Sequence, residues 1–119
     1  MQFDDGRELM YYQLRKKDGR ASATSAGVLV GAGGDVVRLD SQSVSVDVLQ
    51  YWRSAKGRRA EYPAAWRLTL AQPALSLTVE PLLAGQEHKG TFPYWEGAVQ
   101  VKDATGARVG FGYVELTGY

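Results

Sequence analysis

Apolar and polar residues alternate along most of this chain, which is the period-two pattern of β-strands with one buried face. The alternation is clearest over residues 44–48 and 75–79, where valine or leucine takes every second position. Clusters of glycine, aspartate and proline separate these runs and are typical of turns. No segment shows a convincing helical spacing over the usual length of a helix. The pattern therefore predicts an all-β protein with almost no helix.

The turn signals divide the chain into a series of short strands. The predicted strands cover residues 2–3, 8–15, 25–31, 36–39, 43–53, 66–70, 75–79, 94–102 and a last run from 108. Only residues 82–92 lack a clear pattern, and both a turn of helix and a loop fit them. About eight antiparallel strands at even spacing predict a meander that closes into a barrel or folds into a sandwich, because open edges invite aggregation. A lipocalin-like barrel, complete or left incomplete at one edge, is the preferred fold, and it could hold one small ligand.

Length and charge narrow the possible partners. The 119 residues are enough for one domain, residues 1–119, with a single core. Lys and Arg number 14 and Asp and Glu number 13, so there is no overall field for nucleic acid or an anionic membrane. We expect no nucleic-acid partner and no membrane span, and with no leader segment the localisation stays open.

The sequence predicts neither a cofactor nor a metal. Cysteine is absent, which excludes disulfides and thiolate chemistry. The single histidine, His88, is a weak signal for a metal ligand and fits a surface position. The basic loop from Lys56 to Arg59 is typical of a solvated turn. No phosphate-binding loop and no nucleophile elbow can be recognised.

Two glutamates in aromatic-rich strands are the sharpest candidates for a functional site. Because side chains alternate along a strand, Glu96 shares a face with Tyr94, and Glu115 shares one with Phe111 and Tyr113. On a cavity wall such a carboxyl could orient a ligand or, with its pKa raised by desolvation, protonate an alkene. On an outer face it would be solvated or paired with a cation across a strand. The residues alone leave both interpretations open.

Other residues could complete this site. Asp47 and Glu80 are possible acidic companions of the two glutamates. Tyr11, Trp52 and Trp66 could line an apolar cavity together with the aromatic residues of the last strands. Ordinary core packing explains the same rings equally well, since buried tyrosine and tryptophan commonly fill barrels.

Several longer motifs are similar to those of a known family. They are residues 7–15 (RELMYYQLR), Asp18-Gly19, Trp52 with Ser54 and Gly57, Tyr62-Pro63, Trp66, residues 94–99 (YWEGAV) and residues 112–119 (GYVELTGY). Through them the chain resembles the carboxy-terminal part of the AttH-like family, which is similar to carotenoid 1,2-hydratase (hydroxyneurosporene synthase) and kievitone hydratase. The resemblance implies a calycin-type, lipocalin-like β-barrel that is usually one of a pair in a longer chain. For the enzymes it implies acid-catalysed water addition to a prenyl double bond, but the His-Glu-Trp-Gly motif of their other half is absent here.

Three functions are consistent with these observations. The first is a non-enzymatic, lipocalin-like domain that binds an apolar small molecule of the isoprenoid or lipid type. The second is a hydratase or isomerase that acts on an isoprenoid-type double bond through buried Glu96 and Glu115. The third is a structural half-barrel that docks on another barrel or on itself. The very short first strand, residues 2–3, predicts an open edge and therefore a dimer or larger homo-oligomer.

Overall fold

Alternating apolar residues form ten β-strands in the computed structural model, which describes residues 1–55 and 60–119. The strands are β1 (Gln2–Phe3), β2 (Glu8–Tyr12), β3 (Ala26–Val30), β4 (Val36–Asp40), β5 (Val44–Arg53), β6 (Glu61–Leu70), β7 (Leu75–Pro81), β8 (Glu87–His88), β9 (Tyr94–Lys102) and β10 (Arg108–Leu116). The all-β prediction is confirmed, since the described residues contain no helix. The predicted basic loop from Lys56 to Arg59 lies outside the described residues.

All ten strands belong to one antiparallel sheet that curls into an open half-barrel. The strand order is β4-β3-β2-β1-β10-β9-β7-β6-β5, and β8 pairs with β9 beside this path. The predicted antiparallel meander is confirmed; of the two barrel forms that the sequence left open, the closed one of eight strands is wrong and the incomplete one is found. Neighbours in the order are antiparallel, so the first and last of its nine strands, β4 and β5, run in the same direction. Only residues 41–43 join them, whereas parallel pairing of consecutive strands needs a crossover of about a dozen residues or more.

The short first strand lies inside the sheet and does not form its edge. Gln2 is opposite both Phe111 of β10 and Glu8 of β2, and Phe3 is opposite Gly110. The prediction of an open edge at β1 is therefore wrong, and the free edges are those of β4 and β5. The sheet is nevertheless continuous at this point through only two residues, which makes the contact of β1 with β10 critical for the fold.

The core lies on one face of the curled sheet. It is built from the alternate side chains of nearly every strand: Phe3, Leu9, Leu29, Leu39, Val44, Tyr62, Trp66, Leu68, Leu70, Leu77, Val79, Trp95, Val99 and Val101. Trp95 is the largest fully buried side chain, with 1% of its surface exposed. Its indole Nε1 donates a hydrogen bond to the Ala84 carbonyl at 2.7 Å, and its ring meets that of Trp66 edge-on at 6.4 Å.

Two segments differ from the predicted elements. β6 begins at Glu61, five residues before the predicted Trp66, and includes Pro63. Pro63 has no backbone N–H to donate to the neighbouring strand, and such a residue is tolerated at a β-bulge. Its partner on β5, Tyr51, directly follows a shift in the register of the β5–β6 pair. Residues 82–92, for which helix and loop were both open, contain only the two-residue β8 and no helix.

Candidate functional site

An open pocket of about 680 Å³ lies at one end of the half-barrel. We call this end the mouth end; it is where β2, β5, β7 and β10 finish. The walls come from the segment between β8 and β9 and from residues 117–119, which follow β10. Its lining includes three aromatic residues, Phe92, Tyr94 and Tyr119, together with Glu87, Lys89 and Glu115. The antiparallel meander thus brings distant parts of the chain together around one cavity.

Glu87 is held in the pocket by two buried hydroxyl groups. Its carboxylate accepts a hydrogen bond from the Ser54 Oγ at 2.6 Å and another from the Tyr62 hydroxyl at 3.2 Å. Ser54 directly follows β5, Tyr62 is near the start of β6, and both side chains are almost fully buried. Burial and the nearby Glu87 charge raise the pKa of Tyr62, so its hydroxyl remains a donor. Among the described residues Ser54 and Tyr62 are the two donors to the Glu87 carboxylate, which leaves lone pairs of its oxygens available for a ligand.

An aromatic stack continues from Tyr62 to the wall of the pocket. The Tyr62 ring is stacked on Trp52 at 6.1 Å and is tilted against Tyr119 at 5.6 Å. The Arg15 guanidinium covers the Tyr119 ring at 3.7 Å, and Arg15 Nη2 donates to the Thr117 carbonyl at 2.9 Å. Desolvation raises the pKa of Tyr119. Arg15 thus ties the segment after β10 to the segment after β2.

Glu96 and Glu115 lie directly opposite each other in the β9–β10 pair, on the outer face of the sheet. Tyr94 and Tyr113 share this face, as strand alternation predicts, and hydrogen bonding to the Glu96 carboxylate raises the pKa of both phenols. Glu96 is half-buried and Glu115 is exposed. The two glutamates therefore do not form a buried acidic pair, although Glu115 reaches the rim of the pocket.

The other predicted site residues are distributed over three regions. Trp66 is buried in the core, and Tyr11 packs against the core. Trp52 is half-buried behind Tyr62. Phe111 is on the outer face, with the Arg108 guanidinium 4.5 Å above its ring. Of the predicted residues, only Tyr94 and Glu115 line the pocket.

The proposed acidic companions also lie away from the pocket. Asp47 is exposed on β5, opposite Arg67. Glu80 accepts hydrogen bonds from the Lys102 Nζ at 2.6 Å and the Gln100 Nε2 at 3.0 Å. The Lys102 ammonium lowers the pKa of Glu80. Asp47 and Glu80 are therefore surface carboxylates of the sheet and do not belong to the pocket.

Among the described residues, no three histidine, aspartate or glutamate side chains are grouped so that they could hold a metal ion. The same part of the chain contains no helix long and apolar enough to cross a membrane.

The fold and the sequence identify the family of this domain. The AttH-like family model matches residues 1–119, and the chain therefore belongs to the AttH-like family. Its structure is similar to the crystal structure of NE1406 from Nitrosomonas europaea, assigned to AttH, with a TM-score of 0.86 and 35% sequence identity. The match covers 98% of this chain and 36% of the NE1406 chain, so this domain spans about a third of that relative. Among curated proteins, none matches the sequence.

Proposed function

We propose that this AttH-like domain binds a small apolar molecule of the isoprenoid or lipid type, bearing one hydroxyl group, in the pocket at the mouth end. The observation that carries the proposal is the Glu87 carboxylate, held by Ser54 and Tyr62 in a pocket with aromatic walls. The apolar part of the ligand would lie against Phe92, Tyr94 and Tyr119. Its hydroxyl would donate to Glu87.

The size and chemistry of the pocket support this assignment. Small-molecule sites commonly enclose about 300–1,000 Å³, have mostly apolar walls and place a few polar groups to orient the ligand. The cavity of about 680 Å³ lies within that range. A carboxylate can accept about four hydrogen bonds, and Ser54 and Tyr62 supply two here. A further hydroxyl donor would therefore complete the environment of Glu87.

The geometry supports binding better than catalysis through Glu96 and Glu115. Acid catalysis near neutral pH needs a carboxyl whose pKa is raised, and desolvation is the usual cause. Glu115 is exposed, and Glu96 lies half-buried on the outer face beside two phenol donors. A ligand oriented by Glu87 in the pocket requires neither of them as an acid.

Titration with farnesol, an isoprenoid alcohol, tests the proposal. We expect saturable quenching of tryptophan fluorescence, because Trp52 is stacked on Tyr62, which holds Glu87. The Glu87→Gln variant keeps the shape and removes the charge, so it should lose a charge-assisted hydrogen bond of about 1.5–3 kcal/mol, roughly ten- to a hundredfold in affinity.

Two charge-removing variants serve as matched controls. Glu80→Gln removes a carboxylate that is paired with Lys102 away from the pocket, and Asp47→Asn changes an exposed position on β5. Both should bind farnesol like the unmodified protein. Unchanged affinity in folded Glu87→Gln protein, or an equal loss in either control, would rule out the proposed site.

A second candidate function is docking through the outer face near β1. Four large side chains on β2 and β10 are about half-exposed there: Met10, Tyr12, Phe111 and Tyr113. A groove of about 470 Å³ runs between these strands beside the two-residue β1. Exposed apolar patches of this kind are characteristic of protein interfaces. We propose that a second copy of the domain covers this face.

Light scattering over a range of protein concentrations tests this docking. We expect a mass that rises to at least that of a dimer, because each copy offers the same apolar patch. Phe111→Lys places a charge in the patch and should shift the protein to monomer, whereas Val36→Lys, on the edge strand β4, should not. A monomer mass at every concentration would contradict the proposal.

A further inference from the structure

The charges of the described loops are separated between the two ends of the half-barrel. The described loops and the pocket lining at the mouth end carry five cations against three carboxylates, a net charge of +2: Arg15, Lys16, Lys17, Arg20 and Lys89 against Asp18, Glu87 and Glu115. Turns at the opposite end carry four carboxylates against one cation, a net charge of −3: Asp4, Asp5, Asp35 and Asp103 against Arg7. The formal net charge of +1 for the whole chain conceals this separation. The mouth end is therefore complementary to an anionic surface.

Several of these cations are available for such a surface. Arg20 is paired with Asp18 at 2.7 Å, and Arg15 is engaged with the segment after β10. Lys16, Lys17 and Lys89 are exposed, and none of them forms an ion pair with a described residue. Cations of this kind can approach anionic groups without first breaking an internal contact.

The loops of the mouth end also expose large apolar side chains. Phe92 has 83% of its surface exposed, Leu83 has 68% and Leu14 has 50%. The turns of the opposite end, residues 4–7, 31–35, 71–74 and 103–107, have no apolar residue larger than alanine or proline. Exposed leucine and phenylalanine beside lysines is the combination found in interfacial membrane-binding segments. An interaction with nucleic acid would use the lysines but would leave the leucines without a role.

From this combination we infer that the mouth end binds the surface of an anionic lipid bilayer. Lys16, Lys17 and Lys89 contact the headgroups, and Phe92 and Leu83 enter the interfacial layer. The inference rests on the proposed function in one respect: docking of this end opens the pocket toward the bilayer, from which an apolar ligand can enter. The binding of the bilayer itself does not require that ligand.

Sedimentation with unilamellar vesicles tests the inference. We expect the protein to bind vesicles that contain phosphatidylglycerol, to bind phosphatidylcholine vesicles much more weakly, and to dissociate as salt is added. Each lysine near an anionic surface contributes roughly fivefold to partitioning, so Lys16→Gln with Lys17→Gln should weaken binding by roughly 25-fold. Phe92→Ser should weaken it further.

Matched controls remove the same groups elsewhere. Arg38→Gln with Arg67→Gln removes two exposed cations from the strands, and Val36→Ser removes an exposed apolar side chain far from the mouth. These controls should lose much less binding than the mouth-end variants. No sedimentation with anionic vesicles at low salt, equal losses in the controls, or tighter binding to single-stranded DNA than to vesicles would overturn the inference.

Farnesol titration without vesicles separates the two proposals. The double lysine variant should bind farnesol like the unmodified protein, because neither lysine lines the pocket. Loss of farnesol binding with intact vesicle binding would refute only the proposed function. Intact farnesol binding without vesicle binding would refute only the membrane inference.

Discussion

Trp95→Ala is expected to lower the free energy of unfolding by about 3–5 kcal/mol, the usual cost of truncating a buried tryptophan. Trp95 is 1% exposed and its ring contacts Trp66 across the core. The substitution also leaves the Ala84 carbonyl without the donor that now reaches it at 2.7 Å. Loss of packing and loss of this hydrogen bond act in the same direction.

Urea unfolding followed by circular dichroism measures this effect. Tyr113→Ala is the matched control, because Tyr113 is an aromatic residue on the neighbouring strand with 60% of its surface exposed. Its loss should cost much less. Similar unfolding free energies for the two variants would show that Trp95 does not occupy the core in the way described.

Gly110→Ala is expected to destabilise the protein by about 2–3 kcal/mol, the upper part of the range for an overpacked site. A Cβ at Gly110 would collide with the backbone oxygen of Gln2 and come within 2.9 Å of the Phe3 Cα. Both neighbours are backbone atoms of β1, and β1 alone connects β10 with β2. The substitution should therefore separate the sheet at its narrowest point.

The sign of this effect distinguishes it from ordinary glycine replacement. Alanine usually favours the folded state over glycine because it restricts the unfolded chain. Gly90→Ala, where nothing lies within 4 Å of the added Cβ, should be neutral or slightly stabilising. Thermal or urea unfolding of both variants gives the comparison, and a stable Gly110→Ala protein would contradict the described β1–β10 pairing.

Most strands of this fold can be predicted from the sequence, but their closure cannot. Alternation over residues 44–48 and 75–79 reports a local property of the chain and correctly predicts β5 and β7. The sheet stays open because its two edge strands, β4 and β5, run in the same direction. This follows only from the full strand order. Local periodicity contains no information about that order.

The sequence also does not predict which faces of the last two strands are buried. Period two correctly places Glu96 with Tyr94 and Glu115 with Tyr113, but it does not say which face of a strand is buried. In β10 Gly110, Gly112, Val114 and Leu116 face inward, and the aromatic side chains of Phe111 and Tyr113 face outward. Aromatic residues usually lie in the core, but Phe111 and Tyr113 are on the exposed face of β10.

The contacts around Glu87 cannot be predicted from the sequence for a related reason. Glu87 lies in the least regular part of the sequence, and its partners Ser54 and Tyr62 are 33 and 25 residues away. Nothing in the spacing of these residues connects them. Tyr62 also lies before the predicted strand over residues 66–70, whereas the structure includes it in β6.

The most direct test of the proposed pocket is a nuclear magnetic resonance titration of the ¹⁵N-labelled protein with farnesol. The pocket predicts that the largest changes in backbone amide shifts fall in residues 87–94 and 115–119, and that they shrink at equal farnesol concentration in Glu87→Gln. Changes centred instead on Met1, Met10 and Phe111, which border the outer groove, would place the ligand elsewhere and contradict the proposed function.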